Sequence, residues 1–169
     1  FSWAVNGTTI TATTDTLSGS AFSKGDTVQC TTTPTDGTDT GTPQASAVVT
    51  IQNSAPSLVS ASISPTTAYA ADTLTCTWSG FTDDDGDSDL STVSWSIGGS
   101  VVGTSTRISG SFVGGETVTC SVTPSDGTDV GTPVTASIVI DNTAPVLSSI
   151  ALTPSKPTTA STMPCTPGS

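Results

Sequence analysis

Much of this chain is written twice. AFSKGDTVQCTTTPTDGTDTGTP, from Ala21 to Pro43, returns as SFVGGETVTCSVTPSDGTDVGTP, from Ser111 to Pro133, which sets Cys30 and Cys120 90 residues apart. NSAPSLVSASISPTTAYAADTLTC, from Asn53 to Cys76, returns as NTAPVLSSIALTPSKPTTASTMPC, from Asn142 to Cys165, at an offset of 89. Trp3 in SWAVNG answers Trp95 in SWSIGG, 92 residues on, with the surplus taken up in loops. A period of about 90 residues is the length of a small domain, so the repetition predicts an array of similar domains joined end to end.

Within one complete period the apolar residues alternate with polar ones, the pattern of strands with one buried face. The predicted strands are Leu58–Ser64, Thr73–Ser79, Thr92–Ile97, Glu116–Thr123 and Val134–Ile140. Alternation turns Val59, Ala61 and Ile63 inward on the first, and Leu74, Cys76 and Trp78 on the second. On the others it selects Val93, Trp95 and Ile97, then Val118, Cys120 and Val122, then Ala136, Ile138 and Ile140. Cysteines on two such strands, with a tryptophan on a third, form the skeleton of an immunoglobulin-like sandwich, in which a bond across the sheets packs on the tryptophan. The Cys76 to Trp95 gap is longer here than in antibody domains. The expected fold class is therefore all-β, with Ig-like β-sandwich repeats in tandem and one complete domain flanked by two half domains. Residues 1–52 form the C-terminal half of one repeat, 53–141 the complete repeat, and 142–169 the first two strands of the next. Cys76 is expected to bond to Cys120.

A half sandwich exposes unpaired edges and an uncovered core face, so neighbours are needed to complete both ends. Either one long tandem polypeptide supplies them, or separate subunits complete one another head to tail. In both cases Cys30 and Cys165 pair with cysteines of neighbouring repeats or subunits.

Composition agrees with strands and narrows the function. Ser and Thr exceed a third of the chain while Glu, Lys, Arg and Met are scarce, which disfavours helix. Fourteen acidic residues against three basic ones, net −11, repel nucleic acid and anionic lipid, so no nucleic-acid partner is expected. No apolar run is long enough for a membrane span, and FSWAVNG has neither the basic nor the apolar part of a signal peptide. Four cysteines without CxxC spacing or histidine point to disulfides and an oxidising, extracellular or cell-surface location. With no histidine, a single glutamate and no phosphate-binding loop, no catalytic residue is expected and the chain reads as a non-enzyme.

The NSAP and NTAP linkers, SISPTT, DTLTC, DDDGDSD, KGDTVQC, PTDGTDTGT and PSDGTDVGT together resemble the tandem Ig-like or cadherin-like repeats of large bacterial surface and adhesin proteins. The resemblance covers essentially the whole chain. It implies an extracellular stalk or filament whose repeats act as spacers, commonly stiffened by calcium. The cysteine pair departs from many such repeats, which have none.

TDDDGDSDL gathers Asp83, Asp84, Asp85, Asp87 and Asp89, with aspartates at alternate positions around a glycine, as in calcium loops. No bidentate glutamate follows, so this is not an EF-hand. At the same end of a sandwich, Asp83, Asp85, Asp87 and Asp89 are expected to meet Asp126, Asp129 and the linker residue Asn53, where calcium would bridge successive domains. The plainer alternative is a solvated turn in which Asp and Gly suit the backbone. Asn6-Gly7-Thr8 is the only N-glycosylation sequon, and Asn-Gly is equally a hairpin turn. The expected function is a disulfide-stabilised, calcium-stiffened spacer in a filament or adhesin stalk. The alternative is a glycan- or protein-binding adhesion module, for which Tyr69 and Phe81 are the candidate exposed aromatics.

Overall fold

A computed structural model describes residues 1–168; Ser169, the last residue of the expected 142–169 segment, lies outside the described residues. The chain is all-β. Its strands are β1 (Ser2–Val5), β2 (Thr8–Ile10), β3 (Thr27–Thr32), β4 (Gln44–Ala45), β5 (Val49–Thr50), β6 (Ser60–Ser64) and β7 (Thr73–Ser79). They continue with β8 (Thr92–Ile97), β9 (Ser100–Gly103), β10 (Arg107–Ser109), β11 (Thr117–Thr123), β12 (Val134–Val139), β13 (Ser149–Leu152) and β14 (Cys165–Gly168). One short 3-10 turn, Gly19–Ala21, is the only helical element among the described residues.

Every strand pair is antiparallel. The first sheet runs β2-β1-β3-β4, with β5 also on β3; the second β10-β7-β6; the third β12-β11-β8-β9; the fourth is the hairpin β13-β14. The second and third sheets share one core of Leu74, Cys76, Val93, Trp95, Val118, Cys120, Val122 and Ile140, an arrangement consistent with a β-sandwich. β11 shows how the sequence builds it. In TVTCSVT the residues Val118, Cys120 and Val122 are buried while the intervening Thr and Ser face outward, the period-2 pleat of a half-buried strand. Outward hydroxyls pair across strands, Thr119 Oγ1 with Ser137 Oγ at 2.9 Å and Ser62 Oγ with Thr77 Oγ1 at 2.8 Å, so the polar face also contributes to registry.

A disulfide joins Cys76 on β7 to Cys120 on β11 and so staples the second sheet to the third, with Cα atoms 6.3 Å apart. Closing a loop of this span is worth about 2–4 kcal/mol, a large share of the stability of a domain with so small a core. Trp95 lies opposite Cys120 on β8, fully buried, and its indole N–H donates to the Ser105 carbonyl at 2.8 Å, so the large ring is buried without an unsatisfied polar atom.

The same pairings recur in the outer sheets. Trp3 faces Cys30 as Trp95 faces Cys120, and the Trp3 indole donates to the Thr14 carbonyl at 2.9 Å. Leu152 faces Cys165 as Ile63 faces Cys76.

Two readings of the core need correction. Val59, expected inward, is 76% exposed, and Leu58 packs on the core in its place. Gly80, at φ +73°, ends β7 in a left-handed conformation directly against the Val59 side chain, and this interrupts the simple alternation assumed for the first strand. Ala61, Ile63, Trp78, Ile97, Ala136 and Ile138 keep the inward register but are only partly covered, whereas Ala68, Ile108 and Phe112 are buried. Ala68 was missed because it lies outside any alternating run; its carbonyl accepts from the Asp141 N–H at 2.7 Å, tying the chain after β6 to the end of β12.

Leu74→Ala should therefore cost about 2–5 kcal/mol, the range for a buried leucine that leaves a cavity. Val59→Ala should stay within about 0.5 kcal/mol. Urea unfolding followed by tryptophan fluorescence measures both, and equal losses would restore Val59 to the core.

Candidate cation site at a loop junction

The acidic loop leaves β7 at Gly80 and enters β8 at Thr92, and its shape comes from its own carboxylates. Asp83 Oδ1 accepts from the backbone N–H of Asp85 at 2.9 Å and of Asp87 at 3.1 Å, folding the loop around Gly86, which sits at φ +78°. The turn after β11 is built the same way. Asp126 Oδ1 accepts from the N–H groups of Thr128 and Asp129, both at 2.6 Å, and Gly127 N–H reaches Ser125 Oγ at 3.1 Å. The earlier copy of this turn repeats the bonds: Asp36 Oδ1 takes Thr38 and Asp39, both at 2.9 Å, and Gly37 reaches Thr35 Oγ1 at 3.1 Å.

These loops bring together Asp83, Asp87 and Asp126, each offering a carboxylate oxygen within 4.8 Å of the others. Three carboxylate oxygens this close together could share one metal ion. Asp83 Oδ2 is buried and has no hydrogen-bond partner, an unusual state for a carboxylate oxygen and one that a cation would relieve.

The other candidate ligands serve the fold around this group. Asp85 Oδ2 accepts from the Ser54 N–H at 2.6 Å and so fastens the loop to the linker. Asp89 Oδ2 accepts from the Trp78 indole at 2.9 Å and its Oδ1 from Ser91 N–H at 2.9 Å, which holds the far end of the loop against β7. Neither belongs to the three-carboxylate group. Asn53 sits beside it, its Nδ2 donating to Asp126 Oδ2 and Asp129 Oδ2, both at 2.8 Å.

One participant was not anticipated. Lys24, in the turn before β3, donates to Asn53 Oδ1 at 3.0 Å and forms an ion pair with Asp87 Oδ2. Its ammonium pKa is raised, chiefly by the hydrogen bond to Asp87, with the charges of Asp85 and Asp126 adding to the effect. The repeat held a signal for it, since Lys24 stands where the second copy has Gly114, and Gly114 lies against Asn142 as Lys24 lies against Asn53. A cleft of about 480 Å³ opens beside this corner, bounded by Phe22, Lys24, Gln52, Ser54, Asp84 and Asp85.

Asn6 and Gly7 form the left-handed turn between β1 and β2, at φ 51° and 75°. The Asn6 amide is engaged on both sides, donating to Asp26 Oδ1 at 2.7 Å and accepting from Thr27 N–H at 2.9 Å, so the geometry favours its role as a turn. Tyr69 is exposed and Phe81 half-buried. Cys30 and Cys165 are free thiols, the first half-buried and the second exposed. No helix among the described residues is long and apolar enough to cross a membrane. Compared with known proteins, the chain matches no family model and no curated sequence.

The Asn53 amide, helped by the Asp129 and Thr128 N–H groups, holds the Asp126 carboxyl down at about 2. A carboxyl depressed in the folded chain favours folding above its unfolded value and loses that contribution as pH falls through the folded one, so acid weakens this corner between about pH 4 and 2. An NMR titration of the Asp126 carboxyl should show that low midpoint, and Asn53→Ala should move it back toward 3.8. An unchanged midpoint in Asn53→Ala would remove Asn53 as the cause.

Proposed function

We propose that the chain is a repeat segment of an extracellular filament or adhesin stalk, built of Ig-like β-sandwiches in tandem and acting as a disulfide-stabilised spacer. The complete repeat spans 53–141, with parts of its neighbours on either side. The observation that carries this reading is the recurrence of the same strand register, Trp3 on Cys30 and Trp95 on Cys120, at the offset of the sequence repeat. Loop chemistry supports it further. A binding module varies its loops from copy to copy, whereas the TDGTD and SDGTD turns keep the same internal bonds. The Cys76–Cys120 bond suits an oxidising exterior.

Calcium is the cation proposed for Asp83, Asp87 and Asp126, with Asn53 and Asp85 tying the linker to the same corner. A bound ion there would neutralise repelling carboxylates and hold the linker in one orientation, which is how a spacer gains stiffness. Lys24 supplies part of that neutralisation from the preceding segment, and its ammonium would compete for Asp87.

Calorimetry should give calcium binding with Kd of about 10⁻⁴–10⁻³ M, the range of extracellular modules. Asp83→Asn combined with Asp126→Asn should abolish the heat, and Lys24→Ala should tighten binding. Absence of heat in the unaltered chain at millimolar calcium would remove the ion while leaving the spacer reading intact. That reading is tested by labelling source cells with antibody to this chain. Decoration of fibres on the outer surface is expected, and labelling confined to the cell interior would overturn it.

A further inference from the structure

The first sheet and the sheets that follow it are joined through a single covalent connection, Gln52-Asn53-Ser54. Beside that connection lies the cleft of about 480 Å³, with Phe22, Lys24 and Gln52 on one wall and Asp84 and Asp85 on the other. Among the described residues, no backbone hydrogen bond and no strand pairing joins residues 1–52 to β6–β12. What does cross is one side chain. Lys24 Nζ reaches from the turn before β3 to Asp87 Oδ2 in the acidic loop, the only ion pair among the described residues.

We propose that Lys24 is an electrostatic latch: its ion pair with Asp87 holds the first sheet against the acidic loop, and loss of either charge lets the two sides swing about Asn53. The inference goes beyond the spacer reading and needs no bound ion, since every group in it belongs to the chain. Both ends of the latch are held by other bonds. The turn carrying Lys24 is tied to its own sheet, with the Ser23 N–H donating to Asp26 Oδ2 at 2.8 Å and the Gly25 N–H to the Ile51 carbonyl at 2.9 Å. Asp87 stands in a loop whose backbone is fixed by Asp83 Oδ1, which accepts the Asp87 N–H at 3.1 Å. The ammonium also donates to Asn53 Oδ1 at 3.0 Å, and the Asn53 amide is held in turn by Asp126 and Asp129.

An isolated surface ion pair contributes little, because two flexible side chains must be ordered to make it. Here the partners are ordered by their other bonds, and the one ammonium is attracted by Asp85 and Asp126 as well as by Asp87. A covalent connection alone leaves the two sides free to rotate about it, and a second attachment removes that freedom. The second copy of the turn has Gly114 where the first has Lys24, so it carries no charge with which to make the same attachment. Both members of the pair are partly exposed, so dissolved salt screens the attraction and weakens the latch.

The test is to measure backbone residual dipolar couplings of the intact 169-residue chain in a neutral aligning medium, at low salt and with a chelator present so that no divalent ion takes part. Couplings from β1 and β3 and those from β7, β8 and β11 are expected to fit one common alignment tensor. Lys24→Ala and Asp87→Asn should each lose the common tensor. Couplings in β1 and β3 should then fall relative to the others while still fitting the geometry of their own sheet, the sign that the sheet itself is intact. Sodium chloride at about 1 M, where the screening length is about 3 Å, should act on the unaltered chain as Lys24→Ala does. Separate tensors in the unaltered chain at low salt would overturn the proposal. So would a common tensor that survives both neutral substitutions, or one that is indifferent to salt. The calcium reading fails separately: absence of calcium heat leaves the latch as it is, and a common tensor that survives Lys24→Ala leaves the group of Asp83, Asp87 and Asp126 as it is.

Discussion

The contact between Cys120 and Trp95 on one sheet and Cys76 on the other is the point on which the structure turns. A chain this rich in Ser and Thr has few large apolar side chains to bury, and the desolvation of Trp95, Leu74, Val118, Val122 and Ile140 is most of what it can set against the entropy of ordering. The covalent link matters more in such a chain than in one with an ample core, because it reduces the freedom of the unfolded state without requiring further apolar surface. Around that staple the strands need only alternate. Outward threonines and serines supply β propensity and cross-strand hydroxyl pairs, and the surface stays polar without many charges.

The charges that are present are concentrated where the linker meets the sheets. Asp85 binds Ser54, Asp126 and Asp129 bind Asn53, and Lys24 reaches across from the preceding segment to Asn53 and Asp87. An otherwise flexible connection thus becomes a corner with defined bonds on both sides. Beside this network Asp83 Oδ2 is buried without a hydrogen-bond partner. The position of the linker against the sheets depends on this corner, just as the pairing of the second and third sheets depends on the Cys76–Cys120 bond. The two are chemically independent, so the bonds of this corner can loosen without opening the disulfide-stapled core.

How far the sequence could be read depended on the periodicity of each segment. Thr73–Ser79 and Thr92–Ile97 were legible to the residue because their alternation is strict and each is followed at once by a glycine, Gly80 and Gly98. The short strands β9 and β10, and the burial of Ile108 and Phe112, were not legible. Three- and four-residue strands have too few positions to establish a period, and their burial comes from partners distant in the chain. At the acidic corner the sequence marked a cluster of carboxylates but could not divide them. Five aspartates of similar spacing look equivalent until the fold assigns Asp85 to the linker, Asp89 to Trp78 and only Asp83 and Asp87 to a shared point with Asp126.

By itself, then, the sequence determined the all-β class, the length of the repeat and the partnership of Cys76 with Cys120, because period-2 patterning and internal copies are local properties that need no coordinates. Tertiary structure alone decided that Leu58 and not Val59 enters the core, and that Lys24 joins the acidic corner. It also decided that Asp85 and Asp89 stand apart from the group of Asp83, Asp87 and Asp126. The physical reason is common to all three. Burial and ion pairing depend on what stands opposite a side chain in space, and in an antiparallel β fold that neighbour comes from a distant part of the chain.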